Sequence, residues 1–379
     1  MSDSEIQTES RKAFRELLAS LAEIERRWAS AEWNLMGPAD VADAHRALMH
    51  LIGGGITTFF EADHTRPRFQ RIVTPTLKFS GDNADAIYHD ADVHPDFQYV
   101  VRGRMDGAVY VSLTVECDTR DGSMASRTAG VINDTQFDVD SDGRFEIRLG
   151  GPPQERNWLP LEEHATRITT RHYYENERPA AADPTRNAAL EIEVIEPKTP
   201  PPPSPNDASI ARAIRRVERF VRSRTLEQLP MAKREQPAFV SIVPNQFPTP
   251  VRPDTFGLAA FDAHYSMAPF FLGPDDALVM TGRWPRCRCA NVSLWNRFLQ
   301  TLDYANRPVS RNRAQTKLRS DGSFEIVLAH RDPGHPNWLD TEGKALGLVF
   351  WRFFLAEEEP ETPQAQVVPF AEVATAGRR

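Results

Sequence analysis

One half of this chain repeats the layout of the other, and that repetition narrows the folds open to it. The stretches SDGRFEIRLGGPPQERNWLPLEEHATRITTRHYY, Ser141 to Tyr174, and SDGSFEIVLAHRDPGHPNWLDTEGKALGLVFWRFFL, Ser320 to Leu355, share one grammar. Each runs through a Ser-Asp-Gly turn, an alternating strand, a Pro/Gly loop, an Asn-Trp-Leu corner, an acidic turn and a second alternating strand. Asp142-Gly143 and Asp321-Gly322 signal hairpins, because glycine takes positive φ without steric cost. Phe145, Ile147 and Leu149 alternate with Arg144, Glu146 and Arg148, and Phe324, Ile326 and Leu328 repeat the pattern. That two-residue period belongs to a sheet with one buried face.

The repeat extends upstream. Phe97 to Gly103 and Ala108 to Val115 alternate around Met105-Asp106-Gly107, and Ala277 to Gly282 and Cys289 to Trp295 follow suit. Arg104 matches Arg283, Ser112-Leu113 matches Ser293-Leu294, and Asp85 to Tyr88 answers Asp262 to Tyr265. Two copies rich in short strands imply two similar β domains. The Asn157-Trp158 and Asn337-Trp338 pairs read first as corners, the amide satisfying backbone groups and the indole buried, with ligand stacking as the alternative.

Asp82-Asn83-Ala84-Asp85-Ala86-Ile87-Tyr88, the YVVRG strand, the SDG turn and the NWL corner resemble a bacterial family known as domain of unknown function 1214, often paired with one numbered 1254. The second half, with SLWNRFL, NRPVSRNRAQ and HPNWLDTEG, resembles it more closely, and the likeness covers most of residues 70–180 and 250–356. It implies jelly-roll-like antiparallel sandwiches, and no activity or catalytic residue follows from it. Ala84 stands where the family pattern leads one to expect proline. The expected fold class is therefore mainly β with added helices (α+β): two tandem antiparallel β-sandwiches related by an internal repeat.

Residues 1–62 read as a helical segment, 63–180 as the first sandwich, 181–208 as a Pro-rich linker, 209–228 as a basic amphipathic helix, 229–358 as the second sandwich and 359–379 as a polar tail. Phe14, Leu17, Leu18, Leu21, Ile24 and Trp28 recur at helical spacing within 10–34, and a second helix spans Ala39 to about Leu51. Gly53-Gly54-Gly55 lacks the strand and Lys-Ser/Thr of a phosphate loop, and so reads as a helix break or a close backbone approach. The helix from Ile210 to Leu226, capped by Asp207 or Ser209, carries Arg212, Arg215, Arg216, Arg219, Arg222 and Arg224 opposite its apolar face. An anionic partner is one reading; ion pairing with the acidic excess of the chain is the favoured one.

A net charge of −8 argues against general nucleic-acid binding, and no apolar run is long enough to span a bilayer. The charged start opposes a signal peptide, and three cysteines give no disulfide framework, so the expected compartment is the cytoplasm. No cofactor is expected: Cys287-Arg288-Cys289 and the HDADVH run from His89 to His94 match no metal-ligand spacing, and dinucleotide and serine-elbow motifs are missing.

The favoured function is binding of a small organic or carbohydrate-like ligand, in a cleft of the second repeat or between repeats. The competing readings are a hydrolase or lyase working without a metal, and an assembly protein whose sheet edges pair between subunits, hence a possible homo-oligomer. Asp303, Tyr304 and His335 are the candidate acid/base groups, with the last titrating near neutrality. Arg297, Asn306, Arg307, Arg313, Asn337 and Trp338 are candidate ligand contacts, joined by Arg104 and Glu116 of the first copy. Tyr110, Ser112, Thr114 and Glu116 share one strand face, a ligand surface if concave and a solvated face otherwise.

Overall fold

The computed structural model describes residues 6–33, 35, 37–230, 233–254 and 257–376. Alternating sequences become paired strands in both halves. The first half holds β1 (Gln70–Arg71), β2 (Ala86–Asp92), β3 (Gln98–Arg104), β4 (Tyr110–Cys117), β5 (Thr128–Asn133), β6 (Arg144–Leu149), β7 (Trp158–Leu159), β8 (Ala165–Tyr173) and β9 (Leu190–Glu196). The second holds β10 (Ala263–Phe271), β11 (Asp276–Gly282), β12 (Cys289–Trp295), β13 (Ser310–Asn312), β14 (Phe324–Ala329), β15 (Trp338–Asp340), β16 (Leu346–Phe354) and β17 (Gln364–Pro369).

The two halves share a strand order. An inner sheet β1-β2-β8-β4-β5 backs an outer sheet β7-β6-β3-β9, and β10-β16-β12-β13 backs β15-β14-β11-β17. The pairing is antiparallel apart from β6–β7 and β14–β15. Each sandwich closes over its own core, Ile87, Leu113, Phe145 and Ile168 in one, Leu278, Val292, Phe324 and Trp351 in the other. A third core, with Tyr88, Tyr110 and Tyr173 facing Tyr265, Met267, Phe350 and Phe354, joins the two inner sheets. The stack is therefore four layers deep.

Gly143 at φ +77° and Gly322 at φ +81° take the positive φ expected of them, but in turns that lead from one sheet to the other, since β5 and β6, like β13 and β14, lie in different sheets. Gly103 and Gly282 serve another need: a Cβ there would meet the ring of Phe145 at 2.3 Å or of Phe324 at 2.8 Å, so each aromatic covers a cross-strand glycine. The corners hold as well. Asn157 Oδ1 accepts from the Asp138 N–H and Asn337 Oδ1 from the Lys317 N–H, while Trp158 and Trp338 donate to the carbonyls of Gly150 and Ala329.

The cross-strand register corrects one match. Arg171 lies opposite Tyr88 and Ser112, and Arg352 opposite Tyr265 and Asn291, so Ser112 corresponds to Asn291 and not to Ser293. The shift is two residues, which keeps the strand face and so left no trace in the alternation.

Other differences concern the ends of elements. The stretch read as a linker contains a 3-10 turn at Ala180–Ala182 and β9, an outer strand of the first sandwich. The stretch read as a tail contains β17 and a short helix, Phe370–Ala376. Helices α1 (Glu9–Trp28), α2 (Pro38–Gly55) and α3 (Asp207–Ser223) pack together, with the C-terminal helix as α4. Helix α2 runs through the three glycines because Phe220 and Val217 of α3 press on Gly55, where a Cβ would lie 3.1 Å from the Phe220 ring. The close-approach half of that expectation holds, and the break does not. Asn206 caps α3 in a capping box with Ser209, while Asp207 accepts the N–H groups of Glu9 and Ser10 at the start of α1. The helix arginines are largely engaged within the chain: Arg215 with Glu16, Arg222 with Glu23, Arg219 with Glu227, Arg216 with the carbonyls of Phe60 and Ala62, and Arg224 with that of Gly122.

Candidate functional site

The polar face of β4 lies neither in a cleft nor in solvent. It is buried against the second repeat, and Ser112, Thr114 and Glu116 are at most 1% exposed. Glu116 accepts from the Thr128 hydroxyl (2.9 Å), the Thr114 hydroxyl (3.2 Å) and the Leu258 N–H (2.9 Å) of the segment leading into the second repeat. Burial raises its pKa, against the pull of Arg171. Arg171 in turn donates to Thr114 and to the Leu258 carbonyl, each at 2.9 Å.

Two reciprocal clamps join the repeats. Asp262 of the second repeat accepts from Tyr110 (2.5 Å) and Asn133 (2.7 Å) of the first. Asp85 of the first accepts from Asn291 (2.7 Å) and Asn312 (3.0 Å) of the second. Asn133 and Asn312 open matching turns, their own N–H groups donating to Gln136 and Gln315 at 3.0 Å. Burial pushes the Asp85 carboxyl up to about 6, with the two asparagine amides pulling the other way.

A third cluster lies beside α2. Lys78, 2% exposed, sits 3.3 Å from the Tyr304 ring centroid and donates to the Leu302 carbonyl at 3.3 Å. Burial lowers its ammonium to about 8 against the attraction of Asp82, 4.0 Å away. Asp82 Oδ2, Tyr304 Oη and Gln300 Oε1 are buried without a hydrogen-bond partner in the protein.

The structure disperses the candidate residues. Of the acid/base group, Tyr304 is in the cluster at Lys78, its hydroxyl held neutral by burial. Asp303 turns outward to accept from Asn306 at 2.9 Å, and its N–H donates to Glu342 at 2.6 Å. His335 contacts Glu325 at 3.4 Å and accepts from the Asn337 N–H, away from both, and burial lowers its pKa. Arg307 pairs with Asp340 (2.6 Å), Arg313 makes a two-pronged pair with Glu175 (2.7 and 2.6 Å), and Arg297 reaches Asp40 of α2 (3.3 Å). Asn337 donates to the Lys317 and Glu325 carbonyls at 2.8 Å, and Trp338 is occupied at its corner. These contacts build loops and join repeats, and they do not converge on one cleft.

Two hollows open on the first repeat. The larger, about 790 Å³, is lined by Arg102, Arg104 and Arg144, by Asp138, Asp140, Glu146 and Glu191, and by Val139, Phe145, Ala188, Ala189 and Leu190. Arg104 donates to the Asp142 carbonyl at 3.3 Å and pairs with Asp106 at 3.4 Å. The smaller, about 340 Å³, brings His94, Asp118, Arg120, Asp121, Glu163 and His164 together. There His164 Nδ1 is 3.3 Å from Asp118, which takes φ +62° beside an irregularity in the β4 ladder. Among the described residues no cluster of three or more His, Cys, Asp or Glu side chains could hold a metal ion.

Sequence reasoning passed over Arg171, Arg352, Lys78 and the hollow at His164. A signal for the two arginines was available, since each is the seventh residue of its repeated strand, ATRITTRHY and LGLVFWRFF.

The comparisons with known proteins agree with this geometry. The family model described as protein of unknown function (DUF1214) matches residues 88–177 and 296–358. The match falls in two segments. They fall one in each sandwich, consistent with two copies of the domain. A crystal structure of an uncharacterized protein from Burkholderia cenocepacia is similar at 26% identity and a TM-score of 0.78, over 95% of this chain and 97% of that one. The VPA0106 protein from Vibrio parahaemolyticus shares the fold at 13% identity and a TM-score of 0.50, over 86% and 98%. No curated protein matches the chain. The DUF1214 family and both neighbours are uncharacterised, and among the described residues no helix is long and apolar enough to cross a membrane.

Proposed function

We propose that this DUF1214 chain binds a small organic ligand and that the 790 Å³ hollow on the outer sheet of the first repeat holds it. The observation that carries the reading is the lining: an apolar strip, Val139, Phe145 and Ala188 to Leu190, bordered by three arginines and four carboxylates. Volume and mixed chemistry suit a small polar metabolite, with carbohydrate-like hydroxyls able to meet both donors and acceptors. Arg104 is the one residue of the candidate set that lines it. The second repeat supports a cleft less well, because its candidates do not converge on one hollow. Free Cys117, Cys287 and Cys289 favour a reducing cytoplasm as the setting.

The test is incubation of the purified protein with a metabolite extract, followed by mass spectrometry of bound and free fractions. Retention of an unchanged compound is expected, reduced at least about tenfold by Arg104→Ala and by the hollow-filling Ala189→Trp. Equal retention by all three proteins would overturn the assignment. A hydrolase or lyase is the second reading, favoured by the His164–Asp118 contact in the smaller hollow. It expects one compound to be consumed as another appears, with His164→Ala stopping the change.

A further inference from the structure

The two outer sheets end in corresponding strands with different edges. β9 pairs on one side with β3 and β17 on one side with β11, and each is the last strand of its sheet. β9 carries Glu191, Glu193 and Glu196, so a second β9 laid against it would bring carboxylates together. β17, Gln364-Ala365-Gln366-Val367-Val368-Pro369, carries no charge, and Val367 is 40% exposed. Among the described residues no strand covers its outer edge.

The strand is also held in place. Its other edge is paired to β11 over its whole length, from Thr281↔Gln364 to Asp276↔Pro369. Beyond it the Phe370 N–H donates to the Asp275 carbonyl, the Arg331 guanidinium lies 4.0 Å from the Phe370 ring centroid, and Val373 of α4 packs on Ala277 and Val327. An edge fixed in this way loses little freedom when another strand joins it.

We propose that β17 is a self-association surface: two copies of this chain pair β17 to β17, antiparallel about a two-fold axis, and join their four-stranded outer sheets into one. A second copy is the fitting partner because antiparallel pairing about a two-fold offers each strand the donors and acceptors that it presents itself. The absence of charge removes the repulsion that β9 would meet, and the Gln364 and Gln366 amides can donate to and accept from their counterparts. Pro369, with no N–H, ends the ladder where α4 begins. So short a contact makes a weak, concentration-dependent dimer.

Sedimentation velocity on the full chain tests this over roughly 5 to 500 μM, a range suited to a small interface. The expected result is a shift from monomer towards dimer across the range, reversed at least about tenfold in dissociation constant by Val367→Lys and by Gln366→Lys. Glu193→Lys on β9 is expected to leave association unchanged. Thermal midpoints matched to the parent confirm that the variants fold, and either lysine variant suffices if the other does not. A monomer at every concentration, or a dimer unaffected by a folded lysine variant, would overturn the proposal.

Discussion

At one register position of the inner sheets the first repeat places Glu116 and the second Trp295, each on the strand face turned to the other copy. Glu116 is buried with three donors around its carboxylate; Trp295 packs against Phe350 (4.7 Å between centroids) and donates to the Asp82 carbonyl at 3.0 Å. The outer sheets differ in the same sense. The first exposes a charged face with a hollow, and the second covers an apolar face with α4. Strand order is thus common to the copies, while side chains have diverged, with the clamps at Asp85 and Asp262 keeping the halves joined.

The largest effect on this comparison is expected from Glu116→Ala. It strands the Leu258 N–H and leaves Arg171 buried without its nearby carboxylate, at a cost of about 4 kcal/mol in urea unfolding. Trp295→Phe, which keeps an aromatic ring and loses one hydrogen bond, is expected to cost about 1 kcal/mol. Equal costs would mean that the two positions do not differ in kind.

Asp85 sharpens the comparison through pH. Its folded pKa of about 6 lies above the ordinary 3.8, so between these values the folded chain holds a proton that the unfolded chain has released. This group's contribution is present below the unfolded value and is lost as pH rises through the folded one, about 3 kcal/mol in all. The difference in unfolding free energy between the parent and Asp85→Asn should therefore slope over pH 4 to 6 and flatten outside it. A flat difference throughout would contradict the raised pKa.

Gly103→Ala and Gly282→Ala probe the outer sheets. The closer approach to Phe145 than to Phe324 makes the first the costlier, about 3 against about 1 kcal/mol by thermal denaturation. The smallest effect is expected from Arg102→Ala. Its pairs with Glu146 and Glu193 are solvent-exposed, and the loss in stability should stay under about 0.5 kcal/mol.

Much of the fold was legible because alternation reports strand faces directly. The Ser-Asp-Gly turns, the Asn-Trp corners and the paired cores follow from local chemistry in short segments. Alternation does not say what covers a face, so Tyr110 to Glu116 could be read as cleft or solvent but not as a seam between sheets. β9 was readable in LEIEVIE, whose alternation was overshadowed by the prolines that follow. The candidate polar residues of the second repeat have the chemistry of a site, yet Asn337, Arg307 and Arg313 meet backbone groups or carboxylates brought close by turns far apart in sequence. Lys78 gave no local sign, since its burial comes from α2 and from residues more than two hundred positions away.

Native-state hydrogen exchange tests most directly whether the two sandwiches stand or fall as one body through their inner sheets. The expected result is that amides of β4, β8, β12 and β16 open together with one free energy, equal to that of global unfolding, and that Glu116→Ala lowers all four alike. Separate opening free energies for β4–β8 and β12–β16, with Glu116→Ala affecting only the first pair, would contradict the account.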